Sequence, residues 1–132
     1  MIRTSMIIFG LVMILSVSTL IHGAENVMIK NDLGHNKKLT LHCQSKNDDL
    51  GKWEVSDGNE FHWQFGVRIF GGTLFYCTIW QGEVQGFVFD AYTQGRDHPW
   101  GKVLWSIRDN GIFGYHSFNV DPDIFIPWPK KN

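Results

Sequence analysis

The chain has 132 residues, with 12 lysines and arginines against 13 aspartates and glutamates, so its formal net charge at pH 7 is −1. That length fits one small domain. The near-neutral balance and the scattered basic residues argue against nucleic acid or an anionic membrane as the partner.

Residues 1–23 have the pattern of a secretory signal peptide. Arg3 supplies the positive charge, an almost uninterrupted apolar run follows over residues 6–21, and small residues surround the expected cleavage point after Gly23. A membrane anchor is the weaker interpretation, because a spanning helix usually needs about 20 apolar residues with charged flanks. The sequence therefore predicts a secreted protein whose single domain covers residues 24–132, with no membrane insertion once the signal peptide is removed.

Alternation of apolar and polar side chains dominates the rest of the chain. Phe61, Trp63 and Phe65 alternate with polar residues, and Asn110-Gly111 is typical of a tight type I′ hairpin. The predicted fold class is all-β, a small antiparallel β-sandwich of about seven to eight strands, with a small barrel as the alternative. We predict strands near residues 26–30, 38–44, 60–66, 73–80, 85–92, 102–108 and 112–118, with a short eighth strand possible at 52–55.

The last segment, from about residue 119, loses this alternation. Its prolines cannot sit inside a central strand, because proline lacks the backbone N–H that a sheet needs. We expect an extended tail that docks on the domain through Ile124, Phe125 or Trp128.

Two cysteines, Cys43 and Cys77, lie on the apolar phase of their predicted strands. An even number of cysteines in a secreted chain favours one disulfide between them. The alternative is a pair of buried free thiols.

The polar residues do not match a known catalytic or metal-binding pattern. Asp48 and Asp49 lack the alternating ligands and terminal glutamate of a calcium loop, so the segment ending at Gly51 is better explained as a turn with that glycine in the left-handed conformation. His42 and His62 fall on the polar phase of their strands, and no His-x-His spacing or nucleophile elbow occurs. The sequence predicts no enzymatic activity, no metal and no cofactor.

Several segments closely resemble the plant self-incompatibility S-protein homologue family. The most specific is Leu-Thr-Leu-His-Cys-Gln-Ser-Lys-Asn-Asp-Asp-Leu-Gly over residues 39–51. Others are Phe-His-Trp-Gln-Phe over 61–65, Gly-Thr-Leu-Phe-Tyr-Cys over 72–77 and Trp-Ser-Ile-Arg-Asp-Asn-Gly over 105–111. The resemblance covers essentially the whole of residues 24–132.

Members of this family are small secreted β-sandwiches without an attributed enzymatic activity, and the founding members are stigma-side ligands that pollen recognises. The resemblance therefore implies a secreted, non-enzymatic recognition or signalling protein that binds a cell-surface receptor or another extracellular protein. Family members usually carry two further cysteines, about where Trp100 and Val103 stand here. If those two pair with each other, their joint absence leaves Cys43 to pair with Cys77, whereas a crossed pairing would leave both without a partner.

Recognition by a β-sandwich is expected at its loops, because packing and cross-strand neighbours constrain the strands. The segments 81–86 and 93–101 are richest in mixed polar and aromatic residues. Within the second, the predicted partner contacts are Arg96, Asp97, His98 and Trp100. The alternative is that these residues only form the solvent-exposed end of a hairpin and bind no partner. A carbohydrate- or cell-wall-binding module is the competing function, and it would need two or three coplanar, exposed tryptophans.

Overall fold

A computed structural model describes residues 24–67, 72–116 and 119–130 of the chain. The predicted signal peptide and the last two residues of the strand predicted at 112–118 lie outside this part. The strands are β1 Glu25–Asn31, β2 Leu39–Gln44, β3 Asp49–Val55, β4 Glu60–Phe65, β5 Leu74–Gln81, β6 Val84–Thr93, β7 Lys102–Arg108, β8 Gly111–His116 and β9 Ile124–Ile126. A short helix α1, Gln94–Asp97, and a 3₁₀ turn, His98–Trp100, separate β6 from β7.

The strands form two sheets that pack face to face. The first sheet has the order β4-β1-β7-β8-β9, and the second has the order β3-β2-β5-β6. The all-β sandwich is therefore confirmed. The pairing of β1 with β7 is parallel, whereas the other strand pairs of the described residues are antiparallel. Parallel pairing is possible there because five intervening strands provide the long crossover that it requires.

The core lies between the sheets and contains the alternating apolar residues of both. Its largest fully buried side chain is Trp105, whose indole N–H donates to the carbonyl oxygen of Ala91 at 2.8 Å. Because Trp105 is on the first sheet and Ala91 on the second, this bond links the two layers. Cys43 and Cys77 stand opposite each other on β2 and β5, both fully buried, and form the predicted disulfide.

Two local expectations need correction. The segment predicted as a turn ending at Gly51 is shorter, because β3 already begins at Asp49 and the turn closes with the Ser45 N–H donating to the Asp48 carbonyl at 2.7 Å. Gly51 does have a positive φ of 87°, as predicted, but it lies within the strand. That φ lets the chain kink beside an irregularity in the β2–β3 pairing without ending the strand.

The tail beyond residue 119 also contains a strand that the alternation did not predict. Residues Ile124–Ile126 pair with β8 as the outer strand of the first sheet, a position that tolerates the flanking prolines. Trp128 then docks by donating its indole N–H to the carbonyl of Arg108 at 2.8 Å.

Candidate recognition site

The connection from β6 to β7, residues 94–101, crosses from the second sheet to the first at one end of the sandwich. We call it the helical loop. At its start the Gln94 N–H donates to the Thr73 carbonyl, and the Gln94 side-chain oxygen accepts from the Thr73 N–H, both at 3.0 Å. At its end Gly101 has a φ of 73°, a conformation that suits glycine, and its carbonyl accepts from the Asn26 N–H at 3.0 Å. Both ends of the loop are thus fixed to neighbouring strands.

The carboxylate of Asp97 holds the interior of the helical loop together. Its side chain is 1% exposed. Oδ1 accepts from Arg96 Nε and Oδ2 accepts from Arg96 Nη2, at 2.7 and 2.6 Å, which is a two-point pair. Oδ2 also accepts the Thr93 backbone N–H at 2.9 Å. Asp97 was expected to contact a partner, but its burial assigns it to positioning the loop instead.

His116, at the end of β8, connects the helical loop to the segment before β9. Its Nε2 lies 2.7 Å from Oδ1 of Asp97, and its Nδ1 lies 2.7 Å from Oδ2 of Asp123. The ring of Trp100 stacks on the imidazole, with centroids 5.3 Å apart and planes 18° from parallel. We call the arrangement Asp97–His116–Asp123 the histidine bridge.

The histidine bridge shifts the proton affinity of its members. Burial lowers the pKa of His116, but the hydrogen bonds and charges of the two aspartates outweigh burial, so the pKa is raised above its ordinary value. Burial alone would raise the pKa of Asp123, yet the hydrogen bond to His116, the charge of that ring and backbone hydrogen bonds together outweigh burial, so the pKa is lowered. Both shifts favour an imidazolium between two carboxylates.

A second buried carboxylate lies beneath the same end of the sandwich. Glu25, fully buried at the start of β1, accepts from the Tyr92 hydroxyl at Oε1 over 3.0 Å. Its Oε2 has no hydrogen-bond partner among the described residues, and Nδ1 of His98 lies 3.6 Å away. Burial, followed by the hydrogen bond to Glu25, raises the pKa of the Tyr92 hydroxyl.

The helical loop presents a small set of side chains to solvent. Trp100 is 48% exposed, and the His98 side chain is also 48% exposed. The Arg96 side chain is 30% exposed, and it is held by Asp97, by the Asp90 carbonyl at 3.1 Å and by the Trp105 ring, whose centroid is 5.3 Å from Cζ. The structure therefore brings all four predicted contact residues together, three of them at the surface.

The other segment that was expected to recognise a partner, residues 81–86, lies at the opposite end of the sandwich. Gln81 ends β5 and Val84 begins β6, so that only two residues form the turn. The side chain of Gln85 bonds the carbonyl of Gly82 at 2.9 Å, within the same hairpin. This end is separated from the helical loop by the length of the strands.

The sequence did not single out His116, Asp123 or Glu25. One signal was available: the residues of β8 that face the core alternate as Ile112, Gly114 and His116. An ionisable residue on a core-facing phase must find a buried partner, because an unpaired charge there is costly. That partner came from a distant loop, which the strand pattern does not reveal.

Another histidine–aspartate contact lies between β2 and β3. Nε2 of His42 lies 2.6 Å from Oδ1 of Asp49, and the same oxygen accepts the Gly51 N–H at 2.9 Å. The Gly51 hydrogen bond, followed by the one with His42, lowers the pKa of Asp49. Across the described ranges no group of three or more His, Cys, Asp or Glu side chains is arranged to hold a metal ion. Those ranges also contain no helix with the length and hydropathy of a membrane-spanning segment.

Comparison with known proteins gives a consistent result. The family model described as plant self-incompatibility protein S1 matches residues 26–128. S-protein homolog 2 of Arabidopsis thaliana is 35% identical over 114 residues, which cover 81% of this chain and 70% of the relative. Self-incompatibility protein S1 of Papaver rhoeas is 33% identical over 93 residues, covering 67% of this chain and 66% of the poppy protein.

A solved structure has the same fold. It belongs to the self-incompatibility protein homologues, described as a widespread family of small, highly stable, secreted proteins from plants. The match has a TM-score of 0.62 at 19% identity and covers 80% of this chain and 96% of the other.

Proposed function

Because the chain belongs to the plant self-incompatibility protein S1 family, we propose that it is a non-enzymatic ligand that a cell-surface protein recognises through the helical loop. Membership of this family of secreted proteins makes the chain an extracellular, signalling-type protein. The proposal goes beyond family membership in two respects: it names a cell-surface protein as the partner, and it names the helical loop as the surface that binds this partner.

The single observation that carries the proposal is an exposed aromatic and basic surface on a rigid support. Trp100 and His98 are each about half exposed, while Asp97 directly beneath them is buried and fully hydrogen-bonded. Tryptophan and arginine are the residue types most enriched among interface hot spots. A loop that is already ordered loses less conformational entropy when it binds, so more of the contact energy becomes affinity.

The buried ionisable groups of the histidine bridge support a structural role rather than catalysis. Asp97 accepts hydrogen bonds from Arg96, Thr93 and His116, and the second nitrogen of His116 is engaged by Asp123. A general base needs a free lone pair within reach of a substrate proton. In this arrangement the imidazole nitrogens are engaged by protein carboxylates.

A carbohydrate-binding module is less well supported by the positions of the tryptophans. The two that are most exposed are Trp53 at 43% and Trp100 at 48%. Trp53 lies on β3, an edge strand of the second sheet, beside Phe61. Trp100 stacks on His116 of β8, which belongs to the first sheet and lies next to its edge strand β9. A glycan-binding platform needs neighbouring coplanar rings, so these two rings do not support one.

Binding of the labelled mature protein to intact plant cells tests the proposal. We expect saturable binding that unlabelled protein displaces and that brief protease treatment of the cells abolishes, since the partner is a protein. Glycosidase treatment of the cell wall should leave binding in place. Binding that survives protease but disappears with glycosidase would contradict the proposal and favour the carbohydrate-binding module.

A further inference from the structure

The histidine bridge joins three separate parts of the fold through one imidazole ring. Both ring nitrogens lie 2.7 Å from a carboxylate oxygen. A neutral imidazole has one N–H donor and one lone pair, whereas an imidazolium has two donors. With a neutral ring, one of the two contacts would place a lone pair against a carboxylate. Two contacts to carboxylates therefore favour a protonated His116.

We propose that protonation of His116 regulates the helical loop, so that the exposed face of Trp100 is held in its binding arrangement when the ring is charged and released when the ring is neutral. This inference rests on the function proposed above, because it concerns the same surface. It adds pH as a control on recognition.

The two carboxylates would respond differently to loss of the proton. Asp97 is buried and keeps the two-point contact with Arg96 and the Thr93 N–H. The Asp123 side chain is 37% exposed, and its other side-chain partner is the Asn119 amide at 3.1 Å. A neutral imidazole would therefore keep its one N–H on Asp97 and lose its contact with Asp123, which would be left with Asn119, backbone N–H groups and water. The contact that opens is the one between β8 and the segment leading to β9.

Trp100 connects the histidine bridge to the surface, because it contacts His116 and is half exposed. Its ring lies nearly parallel to the imidazole, with the centroids 5.3 Å apart, in an offset stacked arrangement. The face of an aromatic ring attracts a cation electrostatically. Loss of the charge removes that attraction at the same time as Asp123 is released. Both effects loosen a residue that we place in the recognition surface.

The charged groups around His116 are arranged so that the loss of one proton from the ring changes the net charge of the cluster. On α1, Arg96 and Asp97 offset each other, and from the described residues of the segment before β9 the carboxylate of Asp123 contacts the imidazole. The residue opposite His116 on β7 is Val103, which is apolar. His98 of the 3₁₀ turn faces Glu25 of β1 instead of the bridge. The four groups Arg96, Asp97, His116 and Asp123 sum to zero with His116 charged and to −1 when it is neutral.

Nuclear magnetic resonance can test the link within the protein itself. The imidazole resonances of His116 and the indole N–H resonance of Trp100, identified with a Trp100→Phe variant, are followed from about pH 5 to pH 8. We expect Trp100 and the backbone amides of the helical loop to shift with the same midpoint as His116, above the ordinary histidine value of about 6.5. A Trp100 resonance that does not follow the His116 titration would overturn the inference.

Two variants make the result specific. His116→Gln keeps a donor and an acceptor but cannot gain a charge, and it should remove the pH response of Trp100. Asp123→Asn changes only the exposed carboxylate, and it should lower the titration midpoint of His116. This variant tests the bridge independently, should His116→Gln fail to fold. An unchanged midpoint in Asp123→Asn would contradict the bridge.

Cell binding at two pH values separates this inference from the proposed function. We expect binding at pH 8 to be weaker than at pH 6 by about tenfold, a typical size for coupling between two sites. Saturable binding that is equal at both values would overturn the regulation and leave the proposed function intact. The absence of saturable binding at either value would refute the proposed function, and the magnetic resonance titration would then still decide whether His116 controls Trp100.

Discussion

Asp97 and His116 are 19 residues apart in the chain, yet Oδ1 of the first lies 2.7 Å from Nε2 of the second. The contact joins the helical loop to the last residue of β8, and both side chains are almost completely buried. The loop also carries Trp100, the most exposed aromatic residue of this end, whose ring stacks on the same imidazole.

Asp97→Asn should destabilise the protein more than any exposed aspartate substitution. The amide keeps one acceptor but leaves the Arg96 guanidinium and the His116 ring without a full counter-charge. Breaking a buried ion pair on one side typically costs about 3 kcal/mol or more. Urea unfolding measures the difference.

Asp48→Asn is the matched control for that substitution. Asp48 is exposed, and its hydrogen bonds in the turn use its backbone N–H and carbonyl. Its free energy of unfolding should stay within about 0.5 kcal/mol of the parent. Equal values for the two variants would show that Asp97 does not organise the loop.

The free energy of unfolding should depend on pH through the titration of His116 and of Asp123. The raised pKa of His116 gives a stabilisation that is fully present below the unfolded-state value of about 6.5 and is lost as the pH rises through the folded-state pKa. The lowered pKa of Asp123 gives a second stabilisation, which is present above about pH 4 and is lost as the pH falls through the folded-state pKa of Asp123. The free energy of unfolding should therefore be highest between these limits.

The glutamine variant tests the upper limit. In His116→Gln the decrease in stability on the alkaline side should be smaller than in the parent, when both are unfolded in urea at steps of pH. An identical decrease in the two proteins would mean that another group produces it.

The disulfide should contribute substantially to stability. Cys43 and Cys77 are 34 residues apart, and closing a loop of this length is worth about 3.5–4 kcal/mol in the chain-entropy model. The double variant Cys43→Ala and Cys77→Ala should lose a stabilisation of this order. In the parent, mass spectrometry after alkylation without reduction should find no modified cysteine, and two alkylated thiols would refute the bond.

Gly114→Ala should be disruptive although the change is one methyl group. A Cβ atom at residue 114 would lie 2.5 Å from the ring of Trp105, which is fully buried and held by its bond to Ala91. Overpacking of this kind costs about 1–3 kcal/mol. Gly72→Ala is the control, because nothing lies within 4 Å of the corresponding position. Equal melting temperatures for the two variants would contradict the described packing at Trp105.

Much of the fold could be predicted from residue patterns, because strand alternation and turn dipeptides are local signals. The ends of β7 were predicted to the residue, and the hairpin after it and the Cys43–Cys77 bond were confirmed. The predicted type I′ turn at Asn110-Gly111 was wrong: Arg108 pairs with Gly111, so the turn residues are Asp109 and Asn110, and neither has the positive φ of that turn type. The parallel pairing of β1 and β7 was not predicted. It depends on contacts between distant segments that alternation alone does not specify.

Residue composition alone indicated only part of what makes up the candidate site. The segment 93–101 stood out through its glycines, proline, charges and tryptophan, which is a property of local composition. The burial of Asp97 was not foreseen, because it depends on His116 and on the strand that places it. A charged residue in a loop is exposed by default, and only a partner from elsewhere in the fold reverses that expectation.

Replacement of one exposed tryptophan tests the central claim most directly. Trp100→Ala is compared with Trp53→Ala, since the two side chains are 48% and 43% exposed and each contacts a neighbouring ring. With both variants folded, as judged by their melting temperatures, the affinity for intact plant cells is measured from saturation curves. We expect Trp100→Ala to lose at least about 2 kcal/mol, or thirtyfold, while Trp53→Ala binds like the parent. Equal affinities for Trp100→Ala and the parent would contradict the assignment of recognition to the helical loop.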